Sequence, residues 1–163
     1  MHTQPAILSA GLLALSLVTS TALAQEQCGS WSAAMQEDEG GPQMTASVCS
    51  TKGGNPGHIL LVCGQPGDVG FRYLPGHVAQ APTDVPNFKG AFHLTSEGGT
   101  VNTMLSYEEM DGAYTTYVKT GHDLITVLKS GKEVTMTGPF KPESFSLTGS
   151  SKAIDTLIKA CKG

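Results

Sequence analysis

The chain has 163 residues, with 10 Lys+Arg against 14 Asp+Glu and a formal charge of −4 at pH 7. That length suits a single domain with a real core, and the acidic balance, with no Lys/Arg cluster, excludes a nucleic-acid binder. Beyond residue 24 no apolar run approaches the roughly 20 residues a spanning helix needs, so no membrane span is expected.

The first element in chain order is an export signal. Ala6 to Val18 is dominated by Ala, Ile, Leu and Val, and Ala22-Leu23-Ala24 supplies an A-x-A cleavage site. This is an apolar core with a peptidase motif, too short and wrongly flanked for an anchor, although the leading Met1-His2-Thr3-Gln4 lacks Lys and Arg. Residues 1–24 are therefore expected to be removed, leaving residues 25–163 as one soluble, periplasmic or secreted domain. Gln25-Glu26-Gln27 before Cys28 is not a lipid-attachment context.

All four cysteines, Cys28, Cys49, Cys63 and Cys161, follow the signal. An even count in an exported chain points to disulfides, and four cysteines allow three pairings. Cys49 and Cys63 flank Gly53-Gly54-Asn55-Pro56-Gly57 almost symmetrically, as facing strands of a hairpin do. The preferred pairing is therefore Cys49 with Cys63 and Cys28 with Cys161. Zinc is disfavoured, because there is no C-x-x-C pair and His58 is the histidine nearest any cysteine.

The 20 glycines, well above the usual share of about 7 %, are spaced as punctuation between short runs with strand character. Strands are expected at Trp31–Gln36, Met44–Cys49, His58–Cys63 and Val69–Leu74, the first two separated by the acidic turn Glu37 to Pro42. Pro75 to Asn87 carries three prolines and reads as an irregular loop. Ala91–Thr95, Val101–Tyr107 and Tyr114–Val118 read as further strands. Asp111-Gly112 predicts a two-residue turn that pairs Tyr107 with Thr116 and Leu105 with Val118. Leu105, Tyr107, Tyr114 and Val118 then share the core side, and Ser106, Glu108, Thr115 and Lys119 the other.

In the last third, Asp123 is expected to cap a short helix holding Leu124, Ile125, Val127 and Leu128 and ending at Gly131. Val134–Met136 and Ser144–Leu147 follow as strands. A final helix, capped by Ser150 or Ser151, places Ile154, Leu157, Ile158 and Cys161 on one apolar stripe. The fold class is mainly β (α+β): one antiparallel sandwich or curled sheet, with a short late helix and a C-terminal helix packed on it.

This tail resembles a family pattern. Asp123-Leu124-Ile125-Thr126-Val127-Leu128-Lys129-Ser130-Gly131-Lys132 leads to a strand, then Phe145-Ser146-Leu147-Thr148-Gly149, then Ala153-Ile154 and Leu157 through Cys161. It is similar to the ending of small bacterial periplasmic proteins of the invasion-associated locus B type and the VasI type. The resemblance is confined to this tail; it implies an envelope or secretion-associated accessory role and transfers no catalytic residue.

Catalytic signatures are missing. No G-x-x-x-x-G-K-[ST], G-x-G-x-x-G or G-x-S-x-G occurs, and His58, His77, His93 and His122 form no H-x-H or H-x-x-x-H pair. Glu37-Asp38-Glu39 and Glu108-Glu109-Met110-Asp111 sit at turns without calcium-loop spacing and read as solvated. No cofactor and no metal are expected. The candidate interaction patch is Tyr117 with Met104, opposite the core face of its hairpin, joined by Arg72 and Tyr73; Tyr and Met are favoured at interfaces. The expected function is non-enzymatic: binding of an exported or envelope protein. The alternatives are a hydrolase acting on an envelope polymer through scattered carboxylates and histidines, and an enzyme inhibitor presenting the Pro75–Pro86 loop.

Overall fold

A computed structural model describes residues 28–38, 40–51, 55–76, 88–139 and 141–162. The export signal lies outside these residues, as does His77 and all of the Pro75–Pro86 loop beyond Gly76. Nine strands and two helices occur among the described residues. The strands are β1 Ser32–Asp38, β2 Gly41–Cys49, β3 His58–Cys63, β4 Asp68–Leu74, β5 Lys89–Ser96, β6 Gly99–Glu108, β7 Ala113–Lys119, β8 Glu133–Thr137 and β9 Glu143–Ser146. Helices α1 Asp123–Lys129 and α2 Ser150–Ala160 complete the list. Every expected strand is found, each within a few residues of its sequence boundaries.

The strands form one antiparallel sheet in the order β1-β2-β3-β4-β7-β6-β5-β8-β9. It curls into a half-barrel, and its two ends meet at Trp31. The Trp31 backbone N–H donates to the Thr148 carbonyl at 2.9 Å, and its indole N–H to the Ser146 carbonyl at 2.9 Å. Alternation drives the curl. Ile59 and Leu61, Val69 and Phe71, Phe92 and Leu94, Leu105, Tyr114, Val134, Met136 and Phe145 all point inward and are buried. Both helices fill the concave side, α1 with Leu124 and Leu128, α2 with Ile154 and Leu157. Tyr114 centres an aromatic cluster, 5.1 Å from Tyr107 and 5.2 Å from Phe92 between ring centroids.

Three local expectations are corrected. The disulfides are Cys28–Cys49 and Cys63–Cys161. Cys49 faces His58 across β2 and β3, so Cys63, five residues farther along β3, lies about 17 Å away at the strand's opposite end. The symmetry in sequence is not a symmetry in space, because β3 begins directly after Gly57. Cys63 instead pins the end of α2, and Cys28 ties the N-terminal segment to β2. By loop-closure entropy the two bridges, spanning 21 and 98 residues, contribute about 3 and 4.7 kcal/mol.

The hairpin register is the second correction. Tyr107 faces Tyr114 and Glu108 faces Ala113, so Glu109 and Met110 join Asp111-Gly112 in the connection. The slip is by two residues, which leaves each side chain on its expected face. Thr115, expected toward solvent, is nevertheless buried beneath its outer-face neighbours. Third, the helix caps differ. The His122 ring accepts from the Leu124 N–H in place of Asp123, and Gly149, in the left-handed region, precedes α2 in place of a serine cap.

Candidate functional site

The outer, convex face of β4 and β7 carries the most distinctive surface. Asp68 faces Lys119, Gly70 faces Tyr117 and Arg72 faces Thr115. All six point away from the core, because Val69, Phe71, Tyr114 and Val118 alternate with them and are buried. Gly70 leaves room for the Tyr117 ring beside it. A Cβ at Gly70 would come within 3.1 Å of that ring, and one at Gly64 within 3.0 Å. A large ring on a glycine-lined seat is held by contact with the backbone beneath it, so its position is set before anything binds.

The ring is 59 % exposed. Ion pairs stand on both sides of it: Lys119 Nζ to Asp68 Oδ1 at 2.6 Å, and Arg72 Nη1 to Asp111 Oδ2 at 3.5 Å. The second is long and only partly buried, so the guanidinium can exchange Asp111 for another acceptor at modest cost. Between Tyr117, Arg72 and the turn joining β1 to β2 lies a shallow depression of about 330 Å³, floored by Val62 and edged by Gln43 and Pro42. Gln43 is fixed there by donating to the Cys63 carbonyl at 3.0 Å.

Of the candidate patch residues, the structure brings Tyr117 and Arg72 together. Met104 is on the same outer face and 55 % exposed, but it faces Ala91 on β5, beyond the end of the β6–β7 ladder, and does not line the depression. Tyr73 is corrected: it is 2 % exposed and points into the core. Val69, Phe71 and Tyr73 alternate as one inward row, so the residue next to Arg72 necessarily faces the other way.

Tyr73 leads instead to a second polar site that the sequence reading missed. Its hydroxyl donates to Glu143 Oε2 at 2.9 Å, and the Gly76 N–H reaches the same oxygen at 3.3 Å. Glu143 Oε1 accepts from the Ser50 hydroxyl at 2.8 Å and the Gly57 N–H at 2.9 Å. The carboxylate is buried and receives four donors from two other segments. This binds the β2–β3 connection, the end of β4 and the start of β9 to one another. The lone-pair positions of this carboxylate are thus taken up by donors within the fold. Burial and this hydrogen bond raise the Tyr73 phenol far above its usual range, and burial, with Tyr107 nearby, pushes Tyr114 up to about 12.

Several other acidic and histidine residues have local partners. Glu108 accepts from the Thr115 hydroxyl at 2.6 Å, Asp111 pairs with Arg72, and the His93 ring meets Asn102. Among the described residues, no group of three or more His, Cys, Asp or Glu is placed to hold a metal. The four cysteines are all in disulfides. No protein family, curated protein or solved structure matches this chain.

Proposed function

We propose that this protein is an exported accessory protein that binds another exported or envelope protein through the outer face of β4 and β7. The observation that carries this reading is Tyr117. Its ring is more than half exposed yet held in place on Gly70 and Gly64, beside an Arg72 guanidinium that is only loosely engaged. Tyr and Arg are the residues that most often supply binding energy at the centre of protein interfaces, and a fixed ring loses little entropy on association. The two disulfides suit an oxidising compartment, the apolar N-terminal segment suits export, and the tail's resemblance to small periplasmic accessory proteins supports the same role.

The reading is tested by expressing the tagged chain in a bacterial periplasm, cross-linking, and identifying what is captured. Tyr117→Ala and Arg72→Ala should each reduce capture of the same dominant partner at least tenfold. Tyr117 lies on the surface, so its removal should cost less than about 1 kcal/mol of stability. Undiminished capture by both variants would exclude this face.

A further inference from the structure

β1 is the long open edge of the sheet. At the other edge, β9 has four residues, and Trp31 occupies part of it by donating to the Ser146 carbonyl. β1 has seven residues, almost all exposed, and lies against β2 along its whole length. Edge strands usually fray, but this one is anchored. The Cys28–Cys49 disulfide, the Gly29 N–H donating to the Cys49 carbonyl at 3.0 Å, and buried Trp31 all hold its N-terminal end. An ordered edge whose first five residues carry no charge is a ready template for another strand.

The backbone polarity of this edge follows from one proline. Pro42 has no N–H and faces Glu37, so that pair is of the non-hydrogen-bonded kind. Alternation then makes Met35 opposite Met44, and Ala33 opposite Ala46, the same kind. The N–H and C=O groups of Ala33, Met35 and Glu37 therefore point away from β2, and among the described residues none has a backbone partner. The Gly29–Cys49 bond has the phase this assignment requires.

We propose that two copies of this chain pair antiparallel through β1, about a two-fold axis at Met35, so that one sheet continues across both. Only this register pairs all seven residues. It sets Met35 against its symmetry mate, Ala33 against Glu37, Ala34 against Gln36 and Ser32 against Asp38. The three outward-facing residues meet one another, so each of those pairs exchanges two main-chain hydrogen bonds. Charge selects the same register. Both acids sit at the C-terminal end of the strand, and here each faces a small neutral residue of the other copy. Moving the axis to Glu37 would instead set carboxylate against carboxylate. The Met35 side chain, 57 % exposed in the single chain, is covered by its mate. With β9 short and partly occupied by Trp31, one free edge per copy closes the assembly as a dimer and does not propagate a fibre.

Sedimentation velocity of the oxidised chain from about 10 to 500 µM, the range in which a small interface is half-occupied, tests this. The wild type should shift from monomer to dimer across that range. Met35→Pro removes only an N–H on the open side, where an edge strand tolerates proline, and Met35→Lys sets two ammonium groups across the axis. Both should remain monomeric throughout, with melting temperatures within a few degrees of wild type. Met35→Cys should form an intermolecular disulfide, because residues paired this way have Cα atoms about 5.5 Å apart. A wild type that stays monomeric at all concentrations overturns the proposal, as does a dimer that survives both substitutions. If Met35→Pro fails to fold, Met35→Lys decides alone.

Discussion

Replacing Glu143 tests whether a buried carboxylate holds the β2–β3 connection, the end of β4 and β9 together. Two of its four donors are hydroxyls, Ser50 and Tyr73, and two are backbone N–H groups, Gly57 and Gly76. In Glu143→Gln the shape is kept, but one oxygen becomes an NH₂ group that can only donate. A hydroxyl facing it can rotate and accept, whereas a backbone N–H cannot. The Gly57 N–H also donates to Ser50 Oγ at 3.1 Å, so the cheaper amide orientation turns the NH₂ toward that pair, with the Ser50 hydroxyl accepting from it. The Gly57 N–H then keeps only this longer bond, and every donor loses a charged acceptor, which costs about 1–3 kcal/mol. Glu143→Ala removes all four acceptor contacts and leaves a void, so its cost should reach about 3–5 kcal/mol. Urea unfolding of the oxidised protein, followed by circular dichroism, measures both. A Glu143→Gln variant within about 0.5 kcal/mol of wild type would refute the reasoning, since it would mean that water or rearrangement satisfies these donors freely.

Other consequences follow from the same geometry. Gly76→Ala should destabilise by about 1–3 kcal/mol, because its Cβ would collide with the Gly57 nitrogen and the Asn55 carbonyl oxygen; the urea midpoint reads this directly. Non-reducing peptide mapping should find Cys28 joined to Cys49 and Cys63 to Cys161; any peptide joining Cys49 to Cys63 contradicts the register of β2 and β3. Stability should fall as pH rises above about 10. Tyr114 has its folded pKa raised from 10.0 to about 12, so between those values the folded chain still holds a proton that the unfolded chain has released. The Tyr114 contribution is lost progressively between those two values, and Tyr114→Phe should flatten that part of the stability profile. It should also remove a tyrosinate absorbance step near pH 12.

Much of the fold was legible because alternation is a strong signal in a chain with so many turn residues. His58–Cys63 was placed to the residue, and Val69, Phe71 and Tyr73 already announce an inward row. That same period should have kept Tyr73 out of the surface patch. Adjacency to Arg72 in sequence is separation onto opposite faces in a strand. The hairpin at Asp111-Gly112 was located correctly, but its register was not. The turn dipeptide fixes where a chain reverses, while cross-strand packing of Tyr107 on Tyr114 fixes how many residues the connection takes. The disulfides failed for a related reason. Spacing about a glycine-rich stretch says nothing of how the strands divide that interval, and here nearly all of the loop lies on the β2 side of Gly57. Glu143 was silent in sequence, since an acid opening a short strand looks like any solvated residue. Its donors are 93, 86, 70 and 67 residues away, and only the tertiary fold gathers them. Tyr117 was legible as an exposed aromatic; its seat on Gly70 and Gly64 was not, because it depends on β4 and β7 being neighbours.

The measurement that tests the binding role most directly is site-specific photo-cross-linking in the periplasm, with a photoreactive side chain placed in turn at Tyr117, at Thr95 on the outer face of β5, and at Lys152 on α2. A face that serves as the binding surface should give one discrete cross-linked species from position 117, absent from positions 95 and 152, and the Arg72→Ala substitution should diminish it. Equal labelling from all three positions, or none from 117 in a protein shown to be folded and oxidised, would contradict the assignment.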